Sequence, residues 1–244
     1  MEDKEVVKEA FSKLAPHYEE TVHQEIRYFY GWGYSDFIQF LVEQTDIQSG
    51  DLILDIATGT GVIPRTILKN RQDCRIVGLD ITRAMLIKSK AYLGEDIFGK
   101  TVSLTTGNAM QIPLKAGSFD LIVSGLATHH MQIDLLVSEI YRTLKENGRF
   151  SMVDVGGSKL WKNPIVLFLI RLTAFAFYLI SENKSRAWAE ASSVGNIYTA
   201  EDWHDFLKKG GFEKIIITQI KSNRFWAPNP LLIQAIKQEK RSNE

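Results

Sequence analysis

Between Asp51 and Asp154, short apolar runs alternate with segments of helical periodicity. The runs are rich in Ile, Val and Leu, as the buried strands of parallel sheets are. The predicted strands are 52–56, 75–80, 102–105, 119–124 and 149–154. Strands that alternate with helices form a mainly parallel sheet that is covered on both faces. The pattern therefore predicts an α/β chain with a Rossmann-like sheet.

Two further strand-like runs lie near the end of the chain, at 213–220 and 231–236. The connection between them, 221–230, contains two prolines and is too short for a crossover helix. Because a parallel pair needs such a crossover, we expect these two strands to be antiparallel. The last strand would then break the parallel order of the sheet.

The composition excludes several classes of protein. Lysine and arginine total 29, and aspartate and glutamate total 29, so the formal net charge is zero. Nucleic-acid-binding proteins usually carry a basic excess, so no nucleic-acid partner is expected. Cys74 is the single cysteine, which excludes an internal disulfide and a thiolate metal cluster. The charged start lacks the apolar run of a signal peptide, and we expect a cytoplasmic location.

A glycine-rich turn, Asp55-Ile56-Ala57-Thr58-Gly59-Thr60-Gly61, joins the first strand to the helix that follows it. Small residues there let the backbone approach a ligand, and the helix N-terminus presents free N–H groups. Asp80 closes the next strand, where a carboxylate of a doubly wound sheet reaches ribose hydroxyls. A nicotinamide or flavin dinucleotide site needs a third glycine where this chain has Pro64, which disfavours an oxidoreductase.

With these features the chain resembles the class I S-adenosylmethionine-dependent methyltransferases, whose sheet has seven strands. The turn matches the family's acidic residue followed by x-G-x-G-x-G, with Ala57 in place of the first glycine. Asp80 matches the acidic end of strand two. The segment Gly107–Leu114 resembles the family's G-D-A-x-x-L-P-F block, with Asn108 in place of aspartate.

Further similar blocks follow in order at Phe119–Ile122 and at Leu144–Arg149. The chain is similar in particular to the ubiquinone and menaquinone C-methyltransferases and related small-molecule enzymes. Their N-terminal segment folds over the cofactor, and Phe11–Glu19 resembles it. The resemblance implies S-adenosylmethionine as cofactor, S-adenosylhomocysteine as its product, and no metal.

The resemblance also implies cofactor contacts at the strand ends. The methionine part would lie against Ala57, Gly59 and Gly61, while Asp55 would hold the loop and help to receive the ammonium group. Asp80 would bond both ribose hydroxyls, Ile81 would press on the adenine ring, and Asn108 and Ala109 would bond its edge. Ser124 and Gly125 would end strand four beside the methyl donor, with simple strand-end packing as the alternative.

His129 and His130 follow strand four at the same edge, and Tyr18 would close over the donor. An oxygen or activated-carbon acceptor is a better nucleophile once deprotonated, and histidine is a suitable base near neutral pH. Because successive residues point in different directions, we expect at most one histidine to face the pocket. The alternative is a hydrogen-bonded or solvent-facing pair. Neither histidine has the spaced partners of a closed metal site in the sequence.

Residues 164–180 form the least polar part of the chain. This run is shorter than the roughly 20 residues of a membrane span, and Arg171 interrupts it, so we do not expect a span. The first interpretation is a buried helix that caps the catalytic edge. The second is a lid that admits a lipophilic acceptor and touches a membrane peripherally.

The expected organisation is one folded domain in four segments: a helical cap over 1–50, a cofactor-binding core over 51–156, an apolar insert or lid over 157–199, and a helix with the antiparallel strands over 200–244. The predicted function is methyl transfer to a small lipophilic or aromatic acceptor, on carbon or oxygen, with quinone-like compounds and secondary metabolites included. A non-methylating enzyme, a methyltransferase of macromolecules and a non-enzymatic cofactor sensor stay open as alternatives.

Overall fold

The structure, a computed structural model, describes residues 2–238, and within them seven strands form one sheet in the order β3-β2-β1-β4-β5-β7-β6. Six strands run parallel, and β7 is antiparallel to both of its neighbours, β5 and β6. This confirms the predicted Rossmann-like sheet and its antiparallel last strand. The strands are β1 Leu52–Ile56, β2 Arg75–Asp80, β3 Val102–Thr106, β4 Phe119–Gly125, β5 Leu144–Asp154, β6 Phe212–Gln219 and β7 Leu231–Lys237.

The described range also contains nine α-helices: α1 Glu2–Leu14, α2 Tyr18–Tyr30, α3 Tyr34–Gln44, α4 Val62–Asn70, α5 Arg83–Leu93, α6 Ile133–Thr143, α7 Pro164–Ser181, α8 Lys184–Ser193 and α9 Ala200–Lys209. The chain turns between α2 and α3 at Gly31, which ends α2. This glycine has a φ of 73° and donates its N–H to the Arg27 carbonyl. A Cβ at Gly31 would lie 2.8 Å from that of Asn223, so the turn also needs a residue without a side chain.

One predicted boundary is wrong. β5 begins at Leu144, whereas the sequence indicates a turn at 146–148 and a strand from Arg149. Leu144 already pairs with Phe119 of β4, and the register shifts before the pairing resumes at Leu121 and Arg149. Asn147 takes a positive φ of 61° within this stretch. The turn-forming residues therefore produce an irregularity inside the strand and do not end it.

The sheet is buried on both faces, which is why its central strands consist of apolar residues. Ile53 packs in the cluster that contains Phe37 of α3, while its neighbour Leu54 packs in the cluster that contains Leu136 of α6 and Trp203 of α9. This alternation follows from the two-residue period of a strand. Packing on both faces holds the carboxyl ends of β1, β2 and β4 together at one edge, where the loops of the site begin.

The expectation of a buried helix over residues 164–180 is wrong. Among the residues of α7, all of which the structure describes, only Tyr178 is buried. By length and composition α7 is apolar enough to cross a membrane. Only 6% of it is buried inside the protein. The helix does cap the carboxyl edge of the sheet, but it does so with one face only.

Two adjacent leucines of α6 offer a matched test of the packing. Leu136 is 0% exposed and Leu135 is 47% exposed. We expect Leu136→Ala to lower the free energy of unfolding by about 2–5 kcal/mol, because it leaves a cavity beneath the sheet. Leu135→Ala makes the same change in helix propensity and should cost about 0.5 kcal/mol or less. Urea denaturation measures both, and equal losses would contradict the packing described above.

Candidate active site

A cavity of about 780 Å³ opens at the carboxyl edge of the sheet. Its polar end is formed by the loops that follow β1, β2 and β3, with Gly59, Asp80 and Asn108 in the wall. Its other end is formed by helices outside the sheet, with Phe168 of α7 and Trp188 of α8. Parallel α/β sheets bind ligands at this edge, so the cavity is the candidate active site.

The loop after β1 has a backbone that favours small residues. Ala57, Gly59 and Gly61 have φ values of 56°, 54° and 80°, all in the left-handed region. A Cβ at Gly61 would also lie 2.4 Å from Oγ of Ser89 on α5. Glycine adopts such a φ without strain, whereas alanine at position 57 does so at a cost. Ala57 and Gly59 line the cavity, as the resemblance implies.

Asp80 closes β2 with a carboxylate that bridges two loops. One oxygen accepts the N–H of Gly59 at 2.9 Å, and the other accepts the N–H of Thr82 at 2.7 Å. Burial raises the pKa of Asp80, while these two N–H donors oppose that shift. Each carboxylate oxygen can accept more than one hydrogen bond. Asp80 therefore holds the loops and still offers acceptors to a ligand in the cavity.

Three more of the predicted cofactor residues line the cavity: Ile81, Asn108 and Ala109. The side-chain oxygen of Asn108 accepts the N–H of Met110 at 3.0 Å, which fixes the amide in place. Its NH₂ group and a second lone pair on the oxygen stay available to a ligand. The structure thus brings this loop to the same wall as Asp80, although it follows a different strand.

Ser124 and Gly125 lie outside the cavity wall among the described residues and pack at the end of β4, which is the alternative that the sequence left open. The Ser124 hydroxyl donates to the carbonyl of Ile56 at 2.9 Å. A Cβ on Gly125 would lie 2.8 Å from Cδ1 of Ile38, so this residue is packed against α3. The residues that reach the cavity are the next two, Leu126 and Ala127. Leu126 has a φ of 54°, and this bend shifts the chain toward the cavity after β4 has ended.

Asp55 and Gly61 also lie outside the wall among the described residues. Gly61 is the N-cap of α4. Asp55 is 0% exposed beneath the loop, where it accepts the hydroxyl of Thr58. This contact agrees with the expected role of holding the loop. Burial raises the pKa of Asp55 to about 8, although the Thr58 hydroxyl opposes the shift. Its Oδ1 atom has no hydrogen-bond partner among residues 2–238.

Tyr18 of α2 closes one side of the cavity next to Gly59. Burial raises the pKa of Tyr18 to about 12, although a hydrogen bond with Tyr34 opposes the shift. The phenol is therefore neutral near pH 7 and suits the role of a wall or donor better than that of a base. The next residue, Glu19, accepts the Thr60 hydroxyl at 2.7 Å and pairs with Arg65, so α2 is fastened to the glycine-rich loop.

The structure separates the two histidines. His130 lines the cavity, whereas Nδ1 of His129 bonds to Oδ1 of Asp154 at 2.8 Å. Asp154 also accepts the N–H and the hydroxyl of Thr128, so it holds the short turn that carries both rings. This arrangement agrees with the expectation that at most one histidine faces the pocket. His129 is thus placed as a neighbour of His130 and not in the cavity wall.

The two rings have opposite electrostatic environments. Burial alone would lower the pKa of His129, but the charge and hydrogen bond of Asp154 outweigh it and raise that pKa. Burial and the nearby His129 together lower the pKa of His130, against the opposing charge of Glu190. The first ring therefore takes up a proton before the second. His130 is the neutral ring near pH 7, and a neutral imidazole can accept a proton.

Glu190 of α8 is a residue that the sequence analysis missed. Its Oε1 lies 3.4 Å from Nε2 of His130 and 3.0 Å from Nη1 of Arg186. Burial would raise the pKa of Glu190, but Arg186 and then His130 outweigh it and lower that pKa. Arg186 also pairs with Glu25 at 3.1 Å. The Arg186–Glu190 pair lies within α8, but the contacts with His130 and Glu25 join elements that are far apart in the sequence, so no local motif signals them.

His129, His130 and Glu190 offer three ligand atoms within 4.8 Å of one another, so this group has metal-ligating chemistry that the sequence did not indicate. Its atoms already have other partners, since Arg186 pairs with the carboxylate and Asp154 bonds His129. A cation beside a buried arginine is opposed by charge repulsion. The expectation of no metal therefore stays a prediction.

A family profile that describes a methyltransferase domain matches residues 54–152, which include the loops at the polar end of the cavity. A demethylmenaquinone methyltransferase of Symbiobacterium thermophilum is 33% identical over 153 residues, covering 61% of this chain and 59% of the relative. One from Lactobacillus johnsonii is 25% identical over 222 residues, covering 88% of this chain and 87% of the relative.

In sequence the chain is similar to S-adenosylmethionine-dependent methyltransferases over its cofactor-binding core. Its fold is similar to theirs as well. A solved phosphoethanolamine N-methyltransferase of Haemonchus contortus, in complex with S-adenosyl-L-methionine, superimposes with a TM-score of 0.65 at 17% identity. The match covers 94% of this chain and 60% of that chain. At this identity the likeness concerns the fold alone.

Because Glu190 already pairs with Arg186 and His129 with Asp154, we expect divalent metal ions to bind the histidine–glutamate group weakly or not at all. We expect calorimetric titration with Zn²⁺ to give no saturable site, and EDTA to leave the thermal unfolding midpoint unchanged. A bound metal would stabilise the folded state and raise that midpoint. Saturable binding that Glu190→Gln abolishes would contradict this prediction and assign a metal centre to the group.

Proposed function

We propose that this protein is a methyltransferase that transfers a methyl group from S-adenosylmethionine to a small lipophilic or aromatic acceptor, on carbon or oxygen. The observation that carries the proposal is the cavity itself. It joins a polar end at the strand edge to an apolar end between α7 and α8, so two chemically different molecules can meet in it. Cavities of about 300–1,000 Å³ are typical of small-molecule sites.

The polar end fits the cofactor of the family. Asp80 presents buried carboxylate acceptors that suit ribose hydroxyls. Gly59 lines the cavity without a side chain, so a ligand can approach the backbone of the loop there. The unpaired Oδ1 of Asp55 lies beneath the same loop and can accept a hydrogen bond there. When bound, S-adenosylmethionine supplies a methyl group on a positively charged sulfur.

The apolar end fits a lipophilic acceptor. Its wall includes Val7 of α1, Phe168, Leu172 and Phe175 of α7, and Trp188 of α8. Burying apolar surface against such a wall contributes about 25 cal/mol per Å². Two of the relatives act, by their names, on demethylmenaquinone, which is a lipophilic aromatic compound. That chemistry supports an acceptor with a ring and an apolar chain.

His130 suits the role of general base for this acceptor. Its Nε2 is engaged by Glu190 at 3.4 Å, which leaves Nδ1 as the nitrogen with a lone pair. Its lowered pKa keeps the ring neutral and ready to take the proton that the acceptor loses. His129 and Asp154 act as positioning residues for this ring, and Tyr18 closes the cavity over the donor.

The proposal is tested by measuring S-adenosylhomocysteine release and acceptor methylation with a short-chain naphthoquinol as acceptor. We expect His130→Gln to lower turnover by about 10²–10⁴-fold, because general-base catalysis contributes that much. The affinity for S-adenosylmethionine should stay within twofold or so, since the amide can still donate to Glu190. The wild-type rate should fall in acid, around a pKa below the usual value of about 6.5, and the variant should lack this decline.

His204→Gln on α9 is the matched control, because this exposed histidine lies outside the cavity wall among the described residues. Full turnover in His130→Gln would refute the assigned base. Release of an intact cofactor together with a chemically changed but unmethylated acceptor would refute methyl transfer itself.

A further inference from the structure

α7 presents an apolar face to the outside of the protein. Leu169 is 53% exposed and Ile180 is 87% exposed, and Ile165 is exposed on the same side. Arg171 is the only charged residue between Pro164 and Ser181. A helix on the surface of a water-soluble protein normally turns a polar face outward. This helix is apolar toward the solvent, and its charged residue, Arg171, lines the cavity.

The adjoining face of α7 lines the cavity through Phe168, Leu172 and Phe175, together with Arg171. One helix therefore contributes apolar side chains both to the cavity wall and to the outer surface. α8 packs against α7, and both ends of α7 continue into the same folded body. The helix thus lies along the protein surface in this fold.

The apolar surface continues beyond α7. Tyr28 of α2 stacks on Phe177 with ring centroids 5.9 Å apart. The Tyr28 carbonyl accepts Nε of Arg224 at 3.3 Å, which joins the β6–β7 connection to this surface. Phe225 is 97% exposed there, and Trp226 lies beside it under the Arg224 guanidinium. We call α7, Tyr28 and the pair Phe225–Trp226 the apolar platform.

Basic residues adjoin the three parts of the platform in sequence: Arg27, Lys184 and Arg224. The acidic residue at the end of α7, Glu182, pairs with Arg186 at 3.7 Å, and no acidic residue occurs in 164–181 or in 221–238. Tyrosine and tryptophan favour the headgroup level of a bilayer, and basic side chains favour anionic lipids. This combination of an apolar face, an aromatic edge and a basic border matches an anionic membrane surface.

We propose that the apolar platform docks on an anionic lipid bilayer, with α7 lying in the interface plane. Resting on the proposed function, the second part of the inference is that a lipophilic acceptor passes from the bilayer along α7 into the cavity. The helix then serves both as membrane contact and as cavity wall. An acceptor dissolved in lipid would reach the donor without crossing water.

The test is flotation of the full chain with vesicles of phosphatidylcholine mixed with phosphatidylglycerol, and with vesicles of phosphatidylcholine alone. We expect binding to the mixed vesicles, and weaker binding to the neutral ones or at high salt. Leu169→Glu and Ile180→Glu should each weaken binding by about tenfold or more, because a carboxylate resists insertion among lipid chains. Ile87→Glu on α5 is the matched control, since Ile87 is 61% exposed and lies outside the platform.

Absence of wild-type binding to the mixed vesicles, or an equal loss with Ile87→Glu, would overturn the proposal. Sedimentation velocity tests a second copy of the chain as the occupant. A dimer that Leu169→Glu dissociates, in a protein that does not bind vesicles, would assign the platform to self-association and overturn the membrane assignment.

The acceptor route has its own readout. Leu169→Glu should slow methylation of a long-chain acceptor embedded in vesicles, but leave the rate with a water-soluble short-chain acceptor and the affinity for S-adenosylmethionine unchanged. Equal rates in vesicles would refute the route. If the proposed function fails, no acceptor is methylated while vesicle binding persists, so the two failures are distinguishable.

Discussion

The Asp80 carboxylate is the interaction on which the polar end of the site depends. It accepts one N–H from the loop after β1 and one from the loop after β2. Both loops leave adjacent parallel strands, so a single side chain fixes their relative position. The left-handed backbone of the glycine-rich turn is held in this way against Asp80. A ligand that bonds the same carboxylate meets a surface that is already formed, which reduces the entropic cost of binding.

The helices outside the sheet complete the site by two different physical means. α2 is fastened by polar contacts, because Glu19 bonds Thr60 and pairs with Arg65. α8 is fastened by the buried charges of Arg186, Glu190 and Glu25. α7 instead packs through apolar side chains and leaves its outer face uncovered. Of the three, α7 is therefore the element whose position depends most on what lies beside the protein.

The sequence predicted the parts of the fold and site that depend on local chemistry. Alternating apolar runs indicated the parallel sheet, and the small residues with Asp80 indicated the polar end of the cavity. The differences between prediction and structure concern features that depend on contacts between distant parts of the chain. Ser124 and Gly125 were expected to end strand four beside the methyl donor, with strand-end packing as the alternative. In the structure they pack at the strand end, and after the bend at Leu126 the next residues line the cavity.

Two further differences have the same origin. A run as apolar as 164–180 predicts burial, but burial also requires a surface to cover it, and the chain supplies one for a single face. The partners of His130 could not be predicted, because Glu190 meets it only through the packing of α8 on the turn after β4. Sequence spacing contains no signal for such a contact.

Calorimetric titration with S-adenosylmethionine and S-adenosylhomocysteine tests the central claim most directly, with wild type compared to Asp80→Ala. The account predicts micromolar binding that Asp80→Ala weakens at least tenfold, a loss of about 1.4 kcal/mol. Asp120→Ala is the control, because Asp120 lies near the start of β4 and bonds Lys145 away from the cavity. Absence of binding by folded wild-type protein, or equal affinity in Asp80→Ala, would contradict the account.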